Sequence, residues 1–273
     1  ALASLAAVPL QTVAATIVVG PPPASIQAAI DAASTGDTIR LAAGTYVQEF
    51  KVVSKNLTIE GAGRDATIVQ APPAATRLTQ SFAFGGVTWW AVVLVDNQAV
   101  PAAQTVVLAD LTVDGGTQQD TTVPPIYGSS DRFAGIGFHE ANGTVRDVHV
   151  TNTRQTANFN ELAGTGIVNA SSVATVAFGV EGSLVDDYQR GGLDFRGATL
   201  TADVTDTTVD RGYVLPMNTV TATPNGIQFS QGASGSVSGS TVKLNQSTVA
   251  GVSGAGLILF GAGSVAVTGN AFD

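Results

Sequence analysis

The 273-residue sequence contains no cysteine, two histidines, and only 12 Lys and Arg residues against 21 Asp and Glu. Without cysteine, the chain forms no disulfide and no thiolate zinc site. The net charge of −9, with no concentrated basic stretch, argues against nucleic acid or an anionic membrane surface as a partner. No run approaches the roughly 20 apolar residues of a membrane-spanning helix, so we expect no membrane insertion.

What the chain has instead is 31 glycines, 44% hydrophobic residues and abundant Val, Thr and Ser, which favour short strands joined by tight turns. Its length suits one domain, which we place at residues 25–273. Residues 1–24 form a separate extended segment, and 1–15 are similar to the apolar end of a secretion signal. We therefore expect a secreted or cell-surface protein.

A glycine-led motif with period-two apolarity recurs in the second half of the chain, as in Gly135-Ile136-Gly137-Phe138. Successive copies begin 31, 26, 34 and 30 residues apart. This alternation predicts a strand with one buried face in every copy. The five copies begin at Gly135, Gly166, Gly192, Gly226 and Gly256.

A second motif runs in step with the first: an apolar residue, any residue, Asp or Gly, two more residues, and another apolar residue. Asp and Gly tolerate left-handed backbone angles, so the third position is expected to bend the chain between two strands. The six third positions are Asp110, Asp147, Gly182, Asp206, Gly239 and Gly269.

Together the two motifs predict coils of about 30 residues, each with at least three short strands, that bury their inner faces only by stacking. The predicted fold is all-β: a right-handed, single-stranded parallel β-helix. Ser25 is a helix N-cap candidate, so residues 26–33 should form a short helix capping the N-terminal end. Residues 36–41 and 56–61 should be strands.

The N-terminal motifs resemble the opening of pectin-lyase-like β-helix proteins, including pectin methylesterases. The resemblance rests on residues 26–33, on Gly36-Asp37-Thr38-Ile39, on Ala43-Gly44-Thr45-Tyr46 and on residues 57–63. Residues 188–192 and 225–228 resemble bacterial repeat-containing β-helix proteins. The resemblance covers most of residues 25–273 and implies the fold more specifically than a reaction, because this scaffold carries lyases, esterases, epimerases and structural proteins.

Aligned on their glycines, the coils direct one row of side chains outward, and only its middle, around Asp194 and Arg196, is polar. The turn at 186–191 is short and flanked by longer loops, so we expect a depression there. Carboxylates beside arginine suit acid–base chemistry on a polysaccharide, since arginine pairs with a uronate carboxylate. The candidate catalytic residues are Asp186, Asp187, Asp194 and Arg196. The candidate substrate-binding residues are Tyr188, Gln189, Arg190, Gln228, His139 and Glu140.

The bland alternative is that Asp194 and Arg196 form a surface ion pair of little consequence. Residues 192–197 resemble the run that carries the nucleophilic Asp of pectin methylesterases, which implies that role for Asp194. The esterase's Gln-Asp-Thr-Leu-Tyr motif is absent from this sequence, so an esterase mechanism is not expected. Trp89 and Trp90 should point to opposite faces of a strand.

No cofactor is expected. Calcium is the one ion considered, because Asp186, Asp187 and Asp194 offer hard oxygen ligands, although no calcium-loop repeat occurs.

Two functions stay open from the sequence. One is a protein that binds or acts on an extracellular polysaccharide, as a lyase, epimerase or glycoside hydrolase if it is an enzyme. The other is a non-catalytic structural or adhesive surface protein whose uncapped coils assemble end to end.

Overall fold

The structure is a computed structural model that describes residues 13–73, 78–97, 104–116, 131–154, 164–212, 224–246 and 253–273. It contains one short helix, α1 (Ile26–Ala32), among these residues. The strands, in chain order, are β1 (Thr16–Val19), β2 (Thr38–Leu41), β3 (Gly44–Val47), β4 (Phe50–Val53), β5 (Leu57–Glu60), β6 (Thr67–Gln70), β7 (Ser81–Phe84), β8 (Val87–Asp96), β9 (Thr105–Ala109), β10 (Thr112–Asp114), β11 (Asp131–His139), β12 (Asn142–Arg146), β13 (His149–Thr151), β14 (Thr165–Ala170), β15 (Val176–Glu181), β16 (Leu184–Asp186), β17 (Gly191–Arg196), β18 (Leu200–Thr205), β19 (Thr208–Asp210), β20 (Asn225–Ser230), β21 (Ser234–Ser238), β22 (Thr241–Lys243), β23 (Ala255–Phe260), β24 (Val265–Thr268) and β25 (Ala271–Phe272).

The strands form three sheets, and each complete coil contributes one strand to each sheet. Sheet A has the order β1-β2-β5-β9-β12-β15-β18-β21-β24, sheet B β3-β6-β10-β13-β16-β19-β22-β25, and sheet C β4-β8-β11-β14-β17-β20-β23. Neighbours along each of these orders are parallel, for example β14 with β17 and β17 with β20. The chain is therefore a parallel β-helix, as predicted, and its right-handed winding stays a prediction.

The glycines that lead the sheet C strands face a valine of sheet B in the same coil. A Cβ added at these glycines would lie 2.3 Å from the valine Cγ1, which is closer than real Cβ atoms come. The repeated glycine is therefore required by close packing across the coil. The pairs are Gly166 with Val185, Gly192 with Val209, and Gly226 with Val242.

The predicted bend between sheets A and B is confirmed at all six third positions of the second motif. Their φ angles lie between 49° and 64°, in the left-handed region. The next residue then links the coils: Ser183 accepts a hydrogen bond from the Val148 N–H, and Thr207 and Ser240 each accept one from the preceding coil. This hydroxyl ladder satisfies backbone donors that the bend leaves without a strand partner.

Helix α1 begins where predicted, with the Ala28 N–H donating to Ser25 Oγ at 3.1 Å. The Gln27 side-chain amide bonds both the N–H and the C=O of Lys51, on the outer edge of β4. Lys55 Nζ donates to three main-chain carbonyls at the C-terminal end of the helix.

A hydrophobic core runs through the stacked coils of the described residues. The rings of Phe138, Phe178, Phe195 and Phe229 follow one another with centroids 4.8, 6.0 and 5.0 Å apart. Strand β1 precedes the predicted domain boundary at residue 25 and pairs with β2, so part of the 1–24 segment belongs to sheet A. Residues 1–12 lie outside the described residues. None of the described helical residues forms a span long and apolar enough to cross a membrane.

Candidate functional site

The outer face of sheet C carries the row of side chains predicted to point outward. Asp194 lies between Val168 and Gln228 on neighbouring strands, and Arg196 lies between Ala170 and Ser230. Residues that are more than 30 positions apart in sequence thus become lateral neighbours, as the stacking prediction requires.

A β-hairpin covers the middle of this outer face, a feature that the sequence reasoning missed. Strand β7 pairs antiparallel with the first residues of β8. Phe82 and Trp89 pack on Ala134, Val168 and Ala170, forming an apolar cluster outside the coil interior. The strands beneath carry small side chains, which leave room for the two rings. The outer face is therefore more covered than the open groove that we predicted.

Asp194 and Arg196 form a bidentate ion pair at the edge of this cluster. Arg196 Nε lies 2.9 Å from Asp194 Oδ1, and Nη2 lies 2.6 Å from Oδ2. Only 7% of the Asp194 side chain and 12% of the Arg196 side chain are exposed. The pair is thus nearly buried, unlike the surface ion pair considered as the alternative.

Two arginines lie beside Trp89, and the charge of a third, Arg190, acts on one of them. The guanidinium carbons of Arg132 and Arg196 lie 5.5 and 5.3 Å from the centre of the Trp89 ring. Burial, followed by the nearby charges of Arg190 and Arg196, lowers the pKa of Arg132 to about 10, while Asp194 acts in the opposite direction. We call Arg132, Arg190 and Arg196 the arginine cluster. It gathers a quarter of the 12 basic residues of an acidic chain at one place.

Polar amides continue the face beyond the ion pair. The Asn225 side-chain amide donates to Gln228 Oε1 at 3.0 Å, and Gln228 Nε2 donates to Ser230 Oγ at 3.3 Å. Gln228 is therefore next to Asp194, as predicted, within a small network on β20.

The 186–191 turn divides between the interior and the surface. Tyr188 lies in the core and its hydroxyl donates to Asn245 Oδ1 at 2.6 Å. Gln189 is also buried. Tyr188 therefore lines the interior and not the predicted surface depression. Most of the longer loops expected to flank this turn, at 117–130, 155–163, 213–223 and 247–252, lie outside the described residues.

Arg211, which sequence reasoning passed over, holds this turn in place. Its fully buried guanidinium donates to the carbonyl oxygens of Tyr188, Gln189 and Gln246. No pattern in the sequence separates this arginine from a surface one, because its partners are main-chain atoms of two other coils.

Asp186 is the last residue of β16 in sheet B and Asp187 follows it, whereas Asp194 and Arg196 belong to sheet C. The four predicted catalytic residues are therefore divided between two sheets. Asp186 Oδ1 lies 3.0 Å from His149 Nε2, and Asp187 Oδ1 lies 2.8 Å from Arg154 Nε. Burial raises the pKa of Asp187 against the influence of Arg154. The three aspartates considered for calcium are divided in the same way, and the described residues hold no group of three possible metal ligands.

The carboxylate of Glu140 is occupied by a turn of the next coil. It accepts hydrogen bonds from the N–H groups of Ser172, Val173 and Ala174 and from the Ser171 hydroxyl. Burial acts to raise the pKa of Glu140, but these hydrogen bonds outweigh it and lower the pKa. Glu140 therefore fixes the fold of residues 171–174.

His139 is the other predicted binding residue, and it is 3% exposed. Its Nδ1 lies 3.1 Å from Asp96 Oδ1, and Asp96 Oδ2 accepts from Lys51 Nζ at 2.8 Å. The Phe82 ring stacks on the imidazole with centroids 4.8 Å apart. Hairpin and strands together fix this side chain.

The chain has structural similarity to known proteins at low sequence identity. No protein-family model and no curated protein sequence matches the chain. The chain is similar in structure to an alginate lyase from Paenibacillus sp. strain FPU-7, with 14% identity, a TM-score of 0.44, and coverage of 94% of this chain and 99% of that one. It is also similar to the pectin methylesterase PemA from Erwinia chrysanthemi, with 11% identity, a TM-score of 0.41, and coverage of 86% and 80%.

A third similar structure is the A-module of a mannuronan C-5 epimerase from Azotobacter vinelandii, with 16% identity, a TM-score of 0.38, and coverage of 90% of this chain and 71% of that one. At these values no residue role transfers to the present chain. The three parallel sheets define the predicted parallel β-helix fold on their own.

Proposed function

We propose that the protein is a secreted or cell-surface β-helix that binds an acidic extracellular polysaccharide along the outer face of sheet C. The observation that carries this proposal is the arginine cluster. Arginine pairs with a carboxylate through two parallel hydrogen bonds, and it does so best where water is partly excluded.

The charge arrangement favours an acidic ligand over a neutral one. In the cluster, Asp194 pairs with Arg196, and its charge also acts on Arg132 against the repulsion by Arg190 and Arg196. A bound uronate carboxylate would relieve the repulsion between these guanidinium groups. Because the chain as a whole carries a net charge of −9, nonspecific attraction of an acidic polymer is weak and binding would depend on this place.

The shape of the face suits a polymer. Sheet C stacks its strands at about 4.8 Å per coil, so its outer face is elongated along the axis of the β-helix. Asp194, Gln228 and Ser230 lie on two consecutive coils. A chain of sugars lying along this axis would meet Arg190 and Arg196, the two partly exposed members of the arginine cluster.

The test is equilibrium binding of polygalacturonate and alginate, with the methyl-esterified form of the same polymer as the neutral comparison. R132Q should weaken binding of the acid form by about tenfold or more, the loss expected for one charge-assisted hydrogen bond. The matched control is R146Q, because Arg146 lies on the outer side of sheet A and is half exposed. Equal binding of acid and ester forms, or equal losses in R132Q and R146Q, would contradict the proposal.

Catalysis on the same polymer is tested in parallel by following unsaturated uronate absorbance and reducing ends. If the protein turns the polymer over, Asp194 and Arg196 are the first residues to substitute. Asp186 and Asp187, on sheet B, should then be dispensable, and loss of turnover in D186N would return them to the site.

A further inference from the structure

A pocket of about 400 Å³ lies where the tip of the β7–β8 hairpin meets the turn that follows β14. This volume falls within the range of small-molecule sites, roughly 300–1,000 Å³. Phe84 and Val173 supply apolar surface, and the polar groups of the lining come from His139, Glu140, Ser172 and Gln231. Among the described residues, no arginine or lysine lines the pocket, which distinguishes it from the arginine cluster.

His139 is the polar group of this pocket whose orientation is fixed. The Asp96 carboxylate accepts a hydrogen bond from Lys51 Nζ and is the partner of His139 Nδ1. Because an ionised carboxylate can only accept hydrogen bonds, Nδ1 must carry the proton. In the neutral imidazole, Nε2 is then a hydrogen-bond acceptor. Among the described residues, Nε2 has no hydrogen-bond partner. It is also not one of the fully buried side-chain polar atoms that lack a partner.

Two negative groups set the kind of ligand. Asp96 lies on one side of His139. Glu140, the residue after His139, also lines the pocket. Both carboxylates disfavour an anion. A hydroxyl group, in contrast, donates to Nε2 without bringing charge, while Phe84 and Val173 offer an apolar wall to the carbon face of a sugar ring.

We propose that this pocket is a binding site for a neutral, hydroxyl-bearing ligand such as an uncharged sugar ring, and that neutral His139 accepts a hydrogen bond from it at Nε2. Asp96 is a positioning residue that fixes the tautomer. The site is independent of the acidic-polymer surface in its chemistry, although both lie on the outer face of sheet C.

The experiment is long-range ¹H–¹⁵N correlation NMR of the imidazoles in the full chain. The chain has only two histidines, so H149Q leaves His139 as the single signal. In its neutral form, the imidazole of His139 should carry the proton on Nδ1. Titration with neutral mono- and disaccharides should shift its Nε2 resonance, with glycerol as the comparison for a nonspecific hydroxyl effect.

Two variants complete the test. H139Q should weaken binding of the responding sugar about fivefold to tenfold, the effect of one hydrogen bond. D96N should move the proton to Nε2 in part of the population and weaken the same sugar, while polygalacturonate binding is retained in both variants. A proton found on Nε2 in the wild-type protein, or no Nε2 shift with any sugar of the panel, would overturn the proposal. If the wild-type protein does not bind polygalacturonate, that result would instead overturn the proposed function.

Discussion

Substitution of Asp194 should destabilise the fold strongly, even though the same residue was a catalytic candidate. D194N preserves the shape of the side chain and removes its charge. Two unit charges about 4 Å apart attract by about 4 kcal/mol at an effective dielectric constant of 20. The nearly buried ion pair with Arg196 therefore cannot be broken cheaply, and loss of one partner of such a pair costs about 3–5 kcal/mol.

The surroundings make the two halves of the pair unequal. Without the Asp194 charge, the repulsion of Arg132 by Arg196 and Arg190 loses the carboxylate that acts against it. Without the Arg196 charge, Asp194 still has Arg132 nearby, so R196Q should cost less, about 1–3 kcal/mol. The double variant D194N/R196Q should cost less than the sum of the two single variants.

The assay is urea unfolding followed by tryptophan fluorescence and circular dichroism. The control is E60A, which breaks the exposed pair between Arg40 and Glu60 on the outer side of sheet A and should cost at most about 1 kcal/mol. If D194N lies within roughly 0.5 kcal/mol of the wild type, as surface substitutions do, the pair is not enclosed as described. The reasoning about the covered outer face would then fail.

Three further predictions concern the coil itself. G192A should destabilise the fold strongly, since its Cβ would lie 2.3 Å from Val209 Cγ1. G20A, whose Cβ would have no neighbouring atom within 4 Å, should leave the unfolding midpoint unchanged. Equal midpoints for the two variants would contradict the packing argument. At Asp206 φ is 49°, so D206G should match or exceed the wild-type stability, and D206A should lose about 1 kcal/mol in the same urea assay. A D206A variant more stable than the wild type would refute the left-handed bend. Because the pKa of Glu140 is lowered, its ionised carboxylate stabilises the fold at pH values above the ordinary pKa of 4.5, and this stabilisation is lost as the pH falls through the folded-state pKa. In E140Q the free energy of unfolding should therefore fall less steeply at acidic pH than in the wild type. An unchanged slope would be evidence against this role of Glu140.

The repeating parts of the fold could be predicted because identical local requirements recur in every coil. The bend at Asp110, Asp147 and Asp206 depends on one residue's own backbone angle, which sequence alone constrains. The leading glycines report a clash with a valine at a constant place in the same coil. Such local rules leave a periodic trace in the sequence.

The candidate site was harder to predict because its parts do not repeat. Trp89 belongs to a hairpin that folds over another part of the sheet, and nothing in residues 81–90 specifies which strands they cover. Tyr188 reads as a polar turn residue, but its ring enters the core and its hydroxyl finds Asn245, 57 residues away. Arg132 became a member of the arginine cluster through the same kind of distant contact.

A crystal structure of the protein bound to a galacturonate oligosaccharide would test the central claim most directly. The account predicts a sugar carboxylate at hydrogen-bond distance, about 3 Å, from guanidinium nitrogens of the arginine cluster, with the oligosaccharide running along the outer face of sheet C. An oligosaccharide seated on another surface, such as the outer side of sheet A around Asn142 and Asp203, would contradict it.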